Sequence, residues 1–188
     1  MIYRLRYDRF NFLVGDISFE EIKSKTGNYF ALDAPEWAPI WKQFEIKFRD
    51  DSDDQNVLVP PDITCWFTNE LFLNSAAYKK LEDVLAPYGE LLPVYCEGVP
   101  YWVFHVTKKT GMNAINIQLS NREVEDGGYI DVQSLHFNEA LVNNLLLFKT
   151  EFNGYRNIYC TEKFKTLVDA AGLKGLLFST DLAGLIEP

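Results

Sequence analysis

The chain has few of the residues that most often carry out chemistry. In 188 residues it has two histidines, His105 and His136, and three cysteines, Cys65, Cys96 and Cys160. None of the five lies within eight residues of another, whereas tetrahedral zinc takes three or four ligands, usually in close pairs. No zinc site is expected. An odd number of scattered cysteines without a CxxC pair fits reduced thiols better than a disulfide framework. No window approaches about 18 uninterrupted apolar residues, which excludes a helical membrane span. The arginines after Met1 are not followed by the apolar stretch of a secretory signal. The cytoplasm is the expected compartment. Neither GxGxxG nor GxxxxGK occurs, and basic residues do not cluster with aromatics, so no cofactor, phosphate cradle or nucleic-acid groove is expected.

What the chain does have is apolar surface. Residues of hydrophobic type make up 47% and aromatics 15%, which rules out disorder and points to a core rich in Phe, Tyr and Trp. A chain of this length suits one domain, residues 1–188, that buries roughly 70% of its unfolded surface without metal or disulfide staples.

Charge is unevenly placed. The net charge is −9, from 27 acids and 18 bases. Residues 50–62 hold Asp50, Asp51, Asp53, Asp54 and Asp62 without a base; residues 123–131 hold Glu123, Glu125, Asp126 and Asp131, again without one. Outside these two segments acids and bases balance. Such a field repels nucleic-acid phosphate and steers a basic protein partner, although charged, solvated loops are also the ordinary way to keep a surface soluble.

The clearest internal pattern is a unit used twice: strand, polar cap, amphipathic helix, glycine, second apolar run. The first copy reads Asp62 to Thr68, Asn74 to Gly89, then Leu91-Leu-Pro-Val94. Ala77, Leu81, Val84, Leu85 and Tyr88 form one helical stripe opposite Lys79, Lys80, Glu82 and Asp83. The second copy reads Arg156 to Cys160, Thr161 to Gly172, then Gly175-Leu-Leu-Phe178, with Phe164, Leu167, Val168 and Ala171 as its stripe. Helices this short need a sheet beneath them.

Elsewhere the text reads mainly as strand. A first strand is expected over 1–8 with a continuation from Phe10 to Val14, and a capped helix over 18–25 from Ser18 with Glu21 reaching back, ended by Gly27. Residues 28–41 are expected to be irregular. Phe44 to Arg49 alternates, Tyr101 to Val106 reads as a central strand, and Ile115, Ile117 and Leu119 alternate with polar residues. Ile130–Leu135 and Leu145–Phe152 follow, with a helical turn near Asn138. Asn153-Gly154 signals a type I′ hairpin. The expected fold class is α+β: a twisted, largely antiparallel sheet with a few amphipathic helices packed on it.

Several residues invite a functional reading. Asp50-Asp-Ser-Asp-Asp54 superficially resembles a calcium loop but lacks the glycine and bidentate glutamate of an EF-hand. Tyr29, Phe30, Trp37 and Trp41 either plug the end of the core or face a partner. A catalytic histidine needs a neighbouring nucleophile or carboxylate, which the sequence does not place.

From Pro61-Asp62 onward the order of signals resembles the eleventh of the immunity-protein families of bacterial polymorphic toxins. The carriers are Pro61-Asp62, Asn74 to Leu85, Leu91-Leu-Pro-Val94, Tyr101-Trp-Val-Phe104 and Ala170-Ala-Gly-Leu-Lys-Gly-Leu-Leu-Phe178, over residues 61–178. Where that pattern has Ser-Glu before the last helix, this chain has Cys160-Thr161-Glu162, which keeps a capping oxygen. The resemblance implies a non-enzymatic antidote that binds a cognate, contact-delivered toxin and covers its active site. The acidic residues Asp50, Asp51, Asp53, Asp54, Glu123, Glu125 and Asp126 are the candidate contacts with a basic toxin surface. The alternative is a small-molecule or regulatory binding domain with an aromatic pocket involving Trp37, Trp41 or Trp102; a third reading is an enzyme using His105 or His136.

Overall fold

The repeated unit is the organising element of the fold. The computed structural model describes residues 1–52, 57–124 and 130–184, which form four helices and 13 strands of an α+β architecture. In the first copy, β5 (Glu70–Leu73) leads through α2 (Ser75–Leu85) to β6 (Gly89–Cys96), and β7 (Val99–Val106) is seated antiparallel between the two. In the second, β12 (Tyr159–Thr161) leads through α4 (Glu162–Ala170) to β13 (Leu176–Ser179), with β1 (Ile2–Tyr7) seated between them. Each is a split βαβ crossover.

The helices form where the pattern placed them. Asn74 accepts the Ala77 amide at 2.9 Å and starts α2, while Ala77, Leu81 and Leu85 bury one face. Phe164 and Val168 do the same for α4. Thr161, however, does not cap α4: its hydroxyl donates to the Leu145 carbonyl at 2.7 Å, and no side-chain cap forms. The strand read over Asp62–Thr68 is β4 (Ile63–Trp66), an edge strand; the crossover leaves from β5 instead.

One seam joins the copies. Asp62 accepts from Asn74 Nδ2 at 2.8 Å and from the Lys174 amide at 3.1 Å, and the amides of Asp62 and Ile63 both donate to the Lys174 carbonyl. Gly175 lies at φ +115°, where a Cβ would approach Pro61 Cβ to 2.3 Å. The Pro-Asp and Gly-Leu-Lys-Gly elements therefore face one another, 112 residues apart in sequence.

A single sheet was expected, and the structure has two main ones. The four-stranded sheet runs β4-β5-β7-β6; the five-stranded one runs β13-β1-β12-β11-β8, with β11 at Leu147–Thr150 and β8 at Lys109–Thr110. Two small antiparallel pairs complete the set: β2 (Val14–Asp16) with β3 (Lys47–Arg49), and β9 (Asn121–Val124) with β10 (Ile130–Ser134). Among the described residues every strand pairing except β8–β11 is antiparallel, and the isolated bridges Phe12–Val59 and Glu45–Tyr95 are parallel.

Three layers of core follow. Leu5, Leu71, Leu73, Phe104, Leu147 and Cys160 meet α2 and α4 in the first. On the other face of the four-stranded sheet, Phe72, Val94 and Val103 meet Ile22 of α1 (Phe19–Thr26) and the 28–48 segment through Trp37, Phe44 and Ile46. Over the five-stranded sheet, Phe148 and Tyr159 meet Ile115, Phe137 and Val142 of α3 (Glu139–Val142). No helix among the described residues is long and apolar enough to cross a membrane.

Other expectations fare unevenly. Ser18 caps α1 and Gly27 ends it at φ +81°, but Glu21 binds Lys25 and the Glu45 amide rather than returning to Ser18. Phe10–Val14 does not extend β1: the chain turns and β2 begins at Val14. Phe44–Arg49 keeps its alternation, although only Lys47–Arg49 is strand. Ile115–Leu119 forms no strand: Ile115 makes one bridge to Phe137, and Ile117 and Leu119 are exposed. Asn153 closes a 3-10 turn with its side chain bound to Tyr159 Oη, so positive φ falls on Gly154 and Tyr155 and no type I′ hairpin forms.

Burial of the acidic thiol and phenol groups sets a limit on alkaline stability. Burial pushes the Cys65 thiol from 9.0 to about 12 and the Tyr159 phenol from 10.0 to about 12. Both groups are held neutral in the fold but ionise in the unfolded chain, so their contribution is intact below pH 9 and lost as pH rises toward 12. Far-ultraviolet circular dichroism against pH should give an unfolding midpoint between those limits; an intact spectrum at pH 12 contradicts this.

Candidate functional site

The turn between β4 and β5, Phe67-Thr68-Asn69, stands at the centre of the candidate site. Phe67 has φ +53°, a left-handed conformation rare for a bulky residue and worth roughly 1–3 kcal/mol of strain. Its ring stacks on Phe19 at 5.1 Å and stays partly exposed. The turn is fixed from below: Thr68 donates to the Arg156 carbonyl at 2.6 Å and accepts the Ile158 amide at 3.1 Å.

Three hollows adjoin this turn. The first, about 240 Å³, is apolar: Phe19, Tyr29, Leu32, Trp37, Trp66 and Phe67 line it, with Asn69 and Glu70 as its polar groups. The second, about 340 Å³, runs past Phe67 and Thr68 to Asp16 and Arg49. The third, about 240 Å³, runs from Thr68 to Ile130 and Val132 of β10 and is lined by Arg4, Asn153 and Arg156. Thus the second hollow ends at Arg49, the residue before the 50–62 segment, the third is walled by Ile130 and Val132 of the β9–β10 pair, and Thr68 lines both.

The acidic candidates are placed as follows. Asp50 folds back on Ser52, accepting its amide at 2.8 Å and its hydroxyl at 2.6 Å. Asp51 receives two bonds from Arg49, Nε at 2.7 Å and Nη2 at 3.0 Å, and that contact holds its carboxyl below the usual carboxylate range. Arg49 also reaches Asp16 at 3.3 Å, and Asp16 accepts from Trp66 Nε1. Glu123 is exposed and directly opposite Asp131 in the β9–β10 pair. The alternate face, with Arg122 and Val132, turns inward: Arg122 lies over the Phe152 ring and donates to its carbonyl. Glu123 and Asp131 therefore share the outward face, an arrangement that costs stability because like charges oppose. Asp53, Asp54, Glu125 and Asp126 lie outside the described residues.

Of the aromatic candidates, Trp37 lines the first hollow with Tyr29 and Phe30, but Trp41 and Trp102 do not. Trp102 stacks on Tyr78 of α2 at 4.0 Å. Phe67, Asn69, Glu70 and Asp16 were not singled out in the sequence. The Thr68-Asn69 pair between two apolar runs was the available turn signal.

Beneath the hollow lies a buried charge cluster. Lys149 of β11 donates to Glu70 Oε1 at 2.6 Å, His105 Nδ1 lies 3.0 Å from the same oxygen, and the Val106 amide donates to Oε2 at 2.9 Å. His105 Nε2 is 3.2 Å from the Ala34 carbonyl, and its ring stacks on Trp37 at 3.9 Å. Burial pushes the Lys149 ammonium down from the usual lysine range, and the Glu70 carboxylate opposes that shift. Glu70, His105 and Lys149 are essentially inaccessible. The cluster's geometry is that of a clamp between β5 and β7 of one sheet and β11 of the other. His136 contributes its backbone to Asn116 and Ser120. Among the described residues no group of three His, Cys, Asp or Glu side chains is placed to hold a metal ion.

Removing one member of such a pair strands a buried charge. Lys149→Met should cost about 3–5 kcal/mol in urea unfolding, and adding Glu70→Gln should restore much of it. A loss under about 1 kcal/mol for the single variant would show that the pair holds little.

No protein-family model and no curated protein matches this chain.

Proposed function

We propose that the protein is an immunity protein: in the cytoplasm of the producing cell it binds a cognate bacterial toxin and neutralises it by covering the active site. The observation that supports the reading is that Asp16 lines one of two hollows that share Thr68, with Asp51 held beside it through Arg49, while the β9–β10 pair walls the other hollow with Ile130 and Val132 and presents Glu123 and Asp131 outward. Asp16 and Asp51 flank Arg49 beside one hollow, and Glu123 and Asp131 share the outward face of the pair beside the other. Carboxylates on such a surface steer a basic partner toward it. The resemblance carried by Pro61-Asp62 and Ala170 to Phe178 supports the same class of partner.

Inhibition by coverage requires a preformed surface. The turn fixed by Thr68 and the Arg49 fork on Asp51 hold groups in place before a partner arrives, which lowers the ordering cost of association.

Co-expression with the toxic C-terminal domain encoded beside its gene should restore growth and yield a stable complex; neither rescue nor complex would sink the reading. Replacing Asp50, Asp51, Asp53 and Asp54 with Asn should slow association by roughly tenfold at low salt and flatten its salt dependence. An unchanged on-rate would remove that segment from the interface.

A further inference from the structure

The apolar hollow beside Phe67 has features that burial alone does not require. Phe19, Tyr29 and Phe67 are 55%, 53% and 41% exposed at its edge, although each could have been replaced by a polar residue without opening the core. Phe67 keeps a large ring at a φ of +53°, where Gly or Asn would sit without strain. Strained residues of this sort gather at binding sites, where the surroundings hold them in place. The walls meet as ring pairs, Phe19 on Phe67 at 5.1 Å and Phe19 against Tyr29 at 6.0 Å, so the opening is framed by rings already in contact.

Size and charge choose the occupant. At about 240 Å³ the hollow is smaller than the roughly 300–1,000 Å³ of small-molecule sites and suits one large side chain. Phe67 also lines the neighbouring hollow, where Asp16 and the Arg49–Asp51 fork begin the acidic segment. Exposed Asp33 and Glu36 flank the lining residues Leu32 and Trp37 in the chain, and the Lys23 ammonium lies 5.5 Å from the Tyr29 ring. With Asp16 beside the adjoining hollow, the carboxylates outnumber that base, so basic residues on either side of an apolar anchor entering here would be favoured.

We infer that this hollow receives one aromatic or large aliphatic side chain of a basic protein partner, set between lysines or arginines that meet the acidic surroundings. The inference rests on the partner-covering reading above and gives it an anchor: a buried apolar contact at the centre, charge at the rim.

The probe is a peptide, Lys-Lys-Phe-Lys-Lys, titrated into the intact protein by calorimetry and by nuclear magnetic resonance. It should bind at least about tenfold more tightly than Lys-Lys-Ala-Lys-Lys and than Glu-Glu-Phe-Glu-Glu. Its resonance shifts should concentrate on Phe19, Trp37 and Phe67. Leu32→Arg, on an exposed loop, and Phe67→Asn, which tolerates the left-handed backbone, should each abolish the Phe-over-Ala preference while melting stays cooperative. The shift map of the unaltered protein locates the site even if a variant fails to fold. Equal affinity for the Phe and Ala peptides, or shifts elsewhere, overturns the anchor. Binding of N-acetylphenylalanine amide as tight as that of the basic peptide also overturns it, in favour of a small-molecule pocket. Failure of growth rescue sinks the toxin reading instead, and the peptide result stands apart from it.

Discussion

The carboxylate of Glu70 ties together strands that are far apart in the sequence. From one position on β5 it accepts a lysine from the second sheet, contacts the imidazole of β7 and satisfies a backbone amide beside it. The imidazole passes the constraint outward, to the Ala34 carbonyl and the Trp37 ring. Both sheets and the irregular aromatic layer over one of them are thus fixed to a single oxygen pair. Replacing such a cluster with apolar side chains is often neutral for stability, whereas removing one partner alone is costly. The apolar hollow is floored by the same residues: Glu70 lines it, Trp37 stacks on His105, and Asn69 donates to Glu70 Oε1 at 3.4 Å. A binding surface built on the seam between two sheets takes its shape from that seam.

The fold was legible where a local rule and the tertiary pairing agree. Helical stripes and an asparagine cap located α2 and α4, and unbroken apolar character marked β7 as central, because period and burial are written in neighbouring residues. The repeated unit also survived, although its first strand was taken to be Asp62–Thr68 when the crossover leaves from Glu70–Leu73. The turn that holds Phe67 left only the Thr68-Asn69 pair as a sign, since phenylalanine is not a turn residue. Asn153-Gly154 failed because Tyr159, six residues on, claims the asparagine side chain. Alternation at Ile115, Ile117 and Leu119 misled because no neighbouring strand pairs with that stretch. The Glu70–Lys149 contact spans 79 residues, beyond any pattern that a single chain displays.

The acidic candidates divide for similar reasons. Composition located the segments, yet it did not reveal that Asp51 is matched by Arg49 and Asp50 by Ser52, whereas Glu123 faces another carboxylate. Net charge by segment says where a field arises; only geometry says which carboxylates are already spoken for. Two of the stretches on which the proposed resemblance rests, Pro61-Asp62 and Ala170 to Phe178, meet at the seam between the two crossover units through Lys174 and Gly175. They specify architecture. The groups facing outward lie on turns and short hairpins beside it, which is where one scaffold varies its partners.

The seating of β1 between β12 and β13 has a consequence for how the molecule comes into being. Its opening residues find their neighbours at Thr161, Cys160 and Tyr159 on one side and at Ser179 to Leu176 on the other. Strand β1 therefore has no neighbours in its sheet until β12 and β13 are in place. Such distant pairing slows folding. Closure of the five-stranded sheet waits on segments that lie far apart along the chain.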